Sequence, residues 1–282
     1  MIEIEELRRS FPGLQSITPL AESGQRHVLR AVRDNQPVVL KILKPTQDPE
    51  LARRELEAIV RLDCDYVPRI LESGTTTVGS TARLYVIEPY IQGESYDVRL
   101  RREPQPPLPL VLDLAETLLK GCADFAASGL VHRDLKPGNI LLDEGGKIWI
   151  IDFGIVRVLD AVSLTPTNQQ FGKFTLGYGA PEQMRNLKRQ IDCRSDLFSV
   201  GVILYESLCG YHPYYQGTSD PFEVMRRITG ADLPELEVRE APLLGSLVMS
   251  LASRFPSRRP QTPAQALDRF AEATRGLNRG GR

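Results

Sequence analysis

One polar stretch, Val131-His132-Arg133-Asp134-Leu135-Lys136-Pro137-Gly138-Asn139, constrains this chain more than any other feature. It follows a segment, Leu110 to Ser128, that carries Leu, Val and Ala at helical spacing and has Gly129 as a C-terminal stop. It precedes two short apolar runs, Ile140-Leu141-Leu142 and Ile148-Trp149-Ile150-Ile151. These read as strands joined by the turn Asp143-Glu144-Gly145-Gly146. Asp152-Phe153-Gly154 comes just past the second strand, 13 residues after Asn139. Ala180-Pro181-Glu182 follows near the end of a stretch, Leu159 to Tyr178, that is polar and rich in Thr, Gln and Gly. That stretch is long for a loop, and long loops in compact domains are often functional. Each motif alone is weak: HRD is three polar residues in a loop, DFG a turn, APE a helix start. Together, in this order and with this strand context, they leave little room for chance.

The chain changes character near residue 95. Before it, the pattern predicts short strands and one helix. Val38-Val39-Leu40-Lys41-Ile42-Leu43 is an apolar, β-branched run after the turn-like Arg33-Asp34-Asn35-Gln36-Pro37. Asp48-Pro49-Glu50 predicts a helix start, with an N-cap aspartate, a first-turn proline and an acid at the positive helix end, running to about Leu62. Arg83 to Glu88 is another strand, and Pro89 and Gly93 loosen the chain into a connector. Beyond residue 95 the patterns are mostly helical. Pro104 to Pro109 holds four prolines and predicts a loop; helices are predicted from about Asp196 to Cys209, Pro221 to Thr229, Leu243 to Phe255 and Pro263 to Thr274. The tail 275–282 is expected to fray.

Composition excludes several classes of function. A net charge of −1, from 35 basic and 36 acidic residues, gives no reason to expect a nucleic-acid or membrane partner. The four cysteines show no CxxC pair and read as reduced thiols of a cytoplasmic protein. The opening MIEIEELRRS lacks the apolar core of a signal peptide, and no stretch approaches the roughly 20 apolar residues of a membrane span.

The loop with Asp134, the DFG turn and the APE segment resemble the catalytic-loop, magnesium-loop and activation-segment signatures of the eukaryotic-like (Hanks-type) serine/threonine protein kinases, in the flavour of their bacterial members. The resemblance covers roughly residues 15 to 270. It implies an α+β, bilobal fold: a small β-rich lobe with one key helix (1–94, hinge at 88–94) and a larger, mainly α-helical lobe (95–274). Phosphoryl transfer from ATP needs positioning, charge neutralisation and a place for the hydroxyl proton. The resemblance makes Asp134 the proton acceptor and Asn139 and Asp152 the hard oxygen ligands of Mg2+, with Mn2+ as the alternative ion. It gives Lys136 the transferring phosphate, marking serine/threonine specificity, and makes Thr175 the support of Asp134 and Lys136. Arg133 is the expected receiver of a phosphate on the activation segment, with Ser163, Thr165 and Thr167 as candidate sites; a flexible hydroxyl-rich loop is the plainer reading of those three.

Lys41 matches the lysine of the family's V-A-I-K strand, and a lysine on an apolar strand is costly to bury unless it meets an anion. Leu51, Glu55, Ile59 and Leu62 fall on one helical face, so Glu55 is the expected partner; the alternative is an edge glutamate facing solvent. The glycine-rich loop departs from the family. Ala21, Ser23 and Arg26 stand where three glycines are expected, and only Gly24 remains, off register. Arg26 is left open between touching phosphates and facing solvent. For adenine, the resemblance implies Ile87 as gatekeeper, the Glu88 carbonyl and the Tyr90 amide at the base edge, and Val28, Val39 and Leu141 around the ring. The resemblance also implies Asp196 as the anchor of the catalytic loop and Glu182 with Arg259 as a buried ion pair. His27 and His212 show no partner pattern and are expected to be solvated or packed. The implied activity is transfer of the ATP γ-phosphate to protein serine and threonine hydroxyls, the chain's own included, with a transient dimer for autophosphorylation. A pseudokinase or nucleotide-gated binding module is the alternative suggested by the altered glycine loop, and a small-molecule kinase ranks last.

Overall fold

The computed structural model describes residues 3–22, 26–44, 49–152, 175–187 and 190–277, with the backbone alone at Pro49, Leu51, Ala52 and Glu55. The described residues divide into two compact units. The first contains the described residues up to Gln92 apart from 62–67; the second contains 62–67 and the described residues from Gly93 onward.

The first unit is built on a five-stranded antiparallel sheet. Its strands are β1 (Gln15–Glu22), β2 (Arg26–Arg33), β3 (Gln36–Leu43), β4 (Glu72–Val78) and β5 (Thr81–Pro89), in the order β1-β2-β3-β5-β4. Asp34 and Asn35 turn β2 into β3 with φ of 49° and 61°, the left-handed pair that a two-residue hairpin requires. Pleating then sorts the residues. Leu29 and Ala31 of β2, Val38, Leu40 and Ile42 of β3 and Ile87 of β5 form one buried cluster with Leu7, Phe11, Leu14, Ile17 and Val78. Val28, Val39 and Lys41 therefore lie on the opposite face, and Val28 stands directly across from Lys41. Two helices belong to this unit: α1 (Ile4–Ser10), which delivers Leu7 to the cluster, and α2 (Pro49–Val60), which buries Leu56 and Ile59. The sequence predicts α2, although its Asp48 cap lies outside the described residues. It does not predict α1, where five of seven residues are charged or hydroxylic.

The second unit carries a small sheet, β6 (Gly93–Ser95), β7 (Ile140–Asp143) and β8 (Ile148–Ile150), and seven helices among the described residues. These are α3 (Tyr96–Arg102), α4 (Leu108–Ala127), α5 (Pro181–Met184), α6 (Cys193–Cys209), α7 (Pro221–Gly230), α8 (Pro242–Leu251) and α9 (Pro263–Ala273). The Pro104–Pro109 loop expectation fails at its end. Helix α4 begins at Leu108, because a proline in the first turn costs no hydrogen bond and has a helical φ. Helix α8 stops at Leu251 rather than Phe255, and Pro256–Arg258 form a separate 3-10 turn. Helix α6 starts three residues before Asp196, capped by Asp192, whose side chain accepts the Arg194 N–H at 2.9 Å. It is buried on nearly every side. A Cβ at Gly201 would sit 2.5 Å from the Ala252 nitrogen, so the glycine sets how closely α6 approaches the end of α8. The α+β class expected from the sequence is the class found: one β-rich unit and one helical unit.

Candidate active site

The loop from Val131 to Asn139 leaves α4 and enters β7, and its shape is imposed from α6. Asp196, 1% exposed in the first turn of α6, accepts the backbone N–H groups of His132 and Arg133, both at 2.7 Å. Arg133 sits at φ 68°, strained for a residue with a side chain, and these two bonds help to hold it there. A second strut comes from Gln183 of α5, which donates to the Arg133 carbonyl at 2.8 Å. Gln183 is 3% exposed and was not foreseen, since a glutamine after Ala-Pro-Glu carries no signal of its own.

Burial pushes the Asp196 carboxyl up to about 7, against the pull of the two N–H donors. The folded chain therefore holds this proton more tightly than the unfolded chain, whose aspartate sits near 3.8. The group's contribution to stability falls as pH rises from about 4 to about 7 and is level above. Anchoring follows the opposite sign, because the carboxylate is the better acceptor for two N–H groups. Turnover is expected to show an acid limb near pH 7 that Asp196→Asn flattens while lowering the plateau; a pH profile of kcat on both proteins checks this.

Held in this way, the loop gathers four side chains. Asp134 accepts from the Thr175 hydroxyl at 2.7 Å and the Thr175 N–H at 3.2 Å on Oδ1. Its Oδ2 meets Lys136 Nζ at 2.9 Å and Asn139 Nδ2 at 3.2 Å. Lys136 also donates to the Thr175 hydroxyl at 2.7 Å, so that one oxygen accepts from the ammonium while donating to the carboxylate. Asn139 Nδ2 donates to the Asp134 carbonyl as well, at 2.8 Å. With the amide nitrogen committed to Asp134, the amide oxygen is left for another partner. The Ile151 N–H donates to the Asn139 carbonyl at 2.9 Å and so ties the end of β8, with Asp152 next in line, to the loop. Asp152 has φ 64°, a second strained position.

The Ala180-Pro181-Glu182 motif is clamped to α6 and to Arg259, which follows the 3-10 turn Pro256–Arg258. Glu182 and Arg259 form a bidentate pair at 2.7 and 3.0 Å, and the two side chains are 2% and 0% exposed. Ser195 donates to Glu182 at 2.7 Å, and Arg259 also donates to the Arg194 and Ser253 carbonyls. The Tyr178 hydroxyl donates to Glu206 at 2.6 Å. His212 packs edge-on to the rings of Tyr178 and Tyr215, and burial lowers its pKa to about 4, so it is neutral near pH 7. His27 lies 3.4 Å from Glu22, with its pKa lowered by burial.

In the first unit, the sheet face opposite the apolar cluster carries Val28, Val39 and Lys41, with Ala21 paired to Val28. Lys41 is 3% exposed and ion-paired with Glu88, which stands across from Val39 on β5.

These features can be set against known sequences. The family profile described as the protein kinase domain matches residues 22–269. The chain belongs to the protein kinase family. Among its relatives, serine/threonine-protein kinase PknL of Mycobacterium tuberculosis is 33% identical over 264 residues, which are 90% of this chain and 61% of the relative. PknB of Mycobacterium leprae is 28% identical over 252 residues, 85% of this chain and 39% of the relative. PknA of Mycobacterium tuberculosis is 33% identical over 203 residues, 69% and 46%. The chain thus spans about three fifths of PknL and less than half of the other two.

For the kinase-family positions expected from the sequence, the structure brings Asp134, Lys136, Asn139 and Thr175 together, and Asp152 follows Ile151, whose N–H meets the Asn139 carbonyl. Leu141 is half-buried on β7, opposite Trp149. Three expectations for adenine change. Ile87 is not on the Lys41 face: it belongs to the apolar cluster with Leu40 and Ile42, 2% exposed. The residue of β5 on the Lys41 face is Glu88, one position on, and a shift of one flips the face. The Tyr90 N–H is taken by the Pro37 carbonyl at 3.0 Å. By the alternation of an antiparallel ladder, the Glu88 carbonyl points to β3 too, while the Pro89 carbonyl points away. Arg26, left open by the sequence, is 8% exposed on β2 and has the same pleat parity as Val28, so it does not face solvent. Ser23, Gly24, Phe153, Gly154, Ser163, Thr165, Thr167 and the side chain of Glu55 lie outside the described residues.

Proposed function

We propose that this chain transfers the γ-phosphate of ATP to serine and threonine hydroxyls of protein substrates, itself included. The observation that carries the reading is the hydrogen-bonded cluster of Asp134, Lys136, Asn139 and Thr175. In it a carboxylate oriented by three neighbours accepts the proton of the attacking hydroxyl. The hydroxyl oxygen bonds to the γ-phosphorus, the bond from that phosphorus to the β–γ bridging oxygen breaks, and ADP leaves with the electron pair. Lys136 supplies a compact positive charge for the transferred group, and its bond to Thr175 keeps it beside Asp134. The serine/threonine-protein kinase names of PknL, PknB and PknA support the same substrate class.

Asn139 and Asp152 would hold Mg2+, or Mn2+ in its place. They fit a hard cation: Asn139 turns its nitrogen inward to Asp134, leaving an amide oxygen, and Asp152 adds a carboxylate. Held by these two residues, the ion would supply positive charge to offset that of the phosphates. In the first unit, Lys41 would take the phosphates and Val28 and Val39 the base. The Pro89 carbonyl would accept from the base edge, in place of the Glu88 carbonyl and Tyr90 amide suggested by the sequence. Arg26, buried with the parity of Val28, would add a second cation toward phosphate. Phosphorylation at Ser163, Thr165 or Thr167, recognised by Arg133, and a transient dimer for autophosphorylation remain parts of the proposal. A cytoplasmic setting goes with it; no helix among the described residues is long and apolar enough to cross a membrane.

Incubation with labelled ATP and Mg2+, followed by mass spectrometric mapping, tests this reading. Label on serine or threonine in wild type, lost in Asp134→Ala and Asp152→Ala, is expected. A wild-type chain that binds ATP but labels neither itself nor generic protein substrates would overturn it.

A further inference from the structure

Glu88 is the last residue of β5 with the pleat parity of the Lys41 face before the chain leaves β3 at Tyr90. The sequence places an apolar Ile87 at this point, and the pleat puts an acid there instead. The Glu88 carboxylate is in contact with the Lys41 ammonium, and the two side chains are 11% and 4% exposed. An ammonium on an apolar strand needs an anion, and Glu88 supplies one before any nucleotide does. A polyphosphate brought to the same ammonium meets a carboxylate already in contact with it. Like charges repel far more strongly in a site shielded from water than at the surface. Adenosine, which has no phosphate, meets no such penalty.

Resting on the nucleotide reading above, we infer that Glu88 is a positioning residue that competes with nucleotide phosphates for Lys41. It sets how much affinity the triphosphate adds to that of the nucleoside. Competition for one ammonium is a coupling between two anions, and it is reciprocal: what the phosphates lose to Glu88, Glu88 loses to the phosphates. The acid thus tunes which nucleotides stay bound, whereas proton transfer is assigned to Asp134.

Calorimetric titration of the full chain with ATP, and separately with adenosine, tests this on wild type, Glu88→Gln, Glu88→Asp and the double variant Lys41→Met/Glu88→Gln. Glu88→Gln is expected to bind ATP about tenfold more tightly than wild type and adenosine equally well. Glu88→Asp, which keeps the charge, should stay near wild type. The gain should vanish in the double variant, which has no ammonium left to release. Glu88→Met is a second neutral variant, of similar length on a face that already holds Val39, should thermal melts show Glu88→Gln unfolded. Unchanged or weakened ATP binding in the neutral variants, with adenosine binding intact, would overturn the inference and leave the nucleotide reading standing. Failure of wild type to bind either compound would overturn both.

Discussion

Asp134→Asn lowers kcat by about 10²–10⁴-fold, the usual contribution of a positioned general base, with little change in KM for ATP or in melting temperature. Asparagine matches aspartate in shape and keeps one oxygen for the Thr175 hydroxyl, which lies 2.7 Å from Oδ1. It cannot take a proton, and it withdraws the negative charge that Lys136 meets at 2.9 Å. The split between kcat and KM is the informative part. A loss confined to kcat identifies an interaction made in the transition state, whereas parallel loss of binding would point to collapse of the loop. Initial rates at varied ATP, with a thermal melt of each protein, give both readings. An asparagine variant with wild-type kcat would remove Asp134 from the chemistry.

Arg259→Met destabilises the protein by roughly 3–5 kcal/mol, because Glu182 is left charged and buried without its partner. For a chain of this size that corresponds to a fall of about 6–20 °C in Tm. The pair is a strong case: the two side chains are almost completely shielded and the contact is bidentate. The double variant Glu182→Met/Arg259→Met should recover part of the loss, since apolar replacement of both partners removes the stranded charge. Recovery should stay incomplete, as the Arg194 and Ser253 carbonyls and the Ser195 hydroxyl also lose partners. Equilibrium melts of the three proteins make the comparison, and additive losses in the double variant would contradict it.

The site was legible where chemistry dictates residue type. Asp134, Lys136, Asn139 and Asp152 are expected from the resemblance of their motifs to the kinase signatures, whose proposed roles restrict residue type. Asp196 and the Glu182–Arg259 pair are legible only through the same resemblance to the family. The sheet was read less well. β3 is buried from Val38 through Leu43, so no apolar–polar alternation marks its faces. β5 likewise runs Val86, Ile87 and Glu88 buried in succession. Only the register of β3 on β5 decides that Ile87 joins Leu40 while Glu88 meets Lys41. Helix α1 was missed because a single buried leucine in a charged segment gives almost no periodic signal. The start of α4 is not legible because prolines signal a loop, whereas the first turn of a helix accepts one. Gln183 was missed because its role depends on where the Arg133 carbonyl points, which only the folded loop determines.

Helix α6 carries more of the site than Asp196 alone suggests. Asp196 fixes the backbone of His132 and Arg133, Ser195 reaches Glu182, the Arg194 carbonyl takes Arg259, Ser199 holds the Tyr178 carbonyl and Glu206 holds the Tyr178 hydroxyl. The catalytic loop and the segment ending at Ala-Pro-Glu are therefore moored to one rod. In amide hydrogen exchange, the His132 and Arg133 protons should open with the α6 protons as one cooperative unit, while loop amides facing water exchange early. The Asp134 cluster then inherits the protection of a deeply buried helix, and a cavity made far along α6 is expected to be felt first as lost turnover.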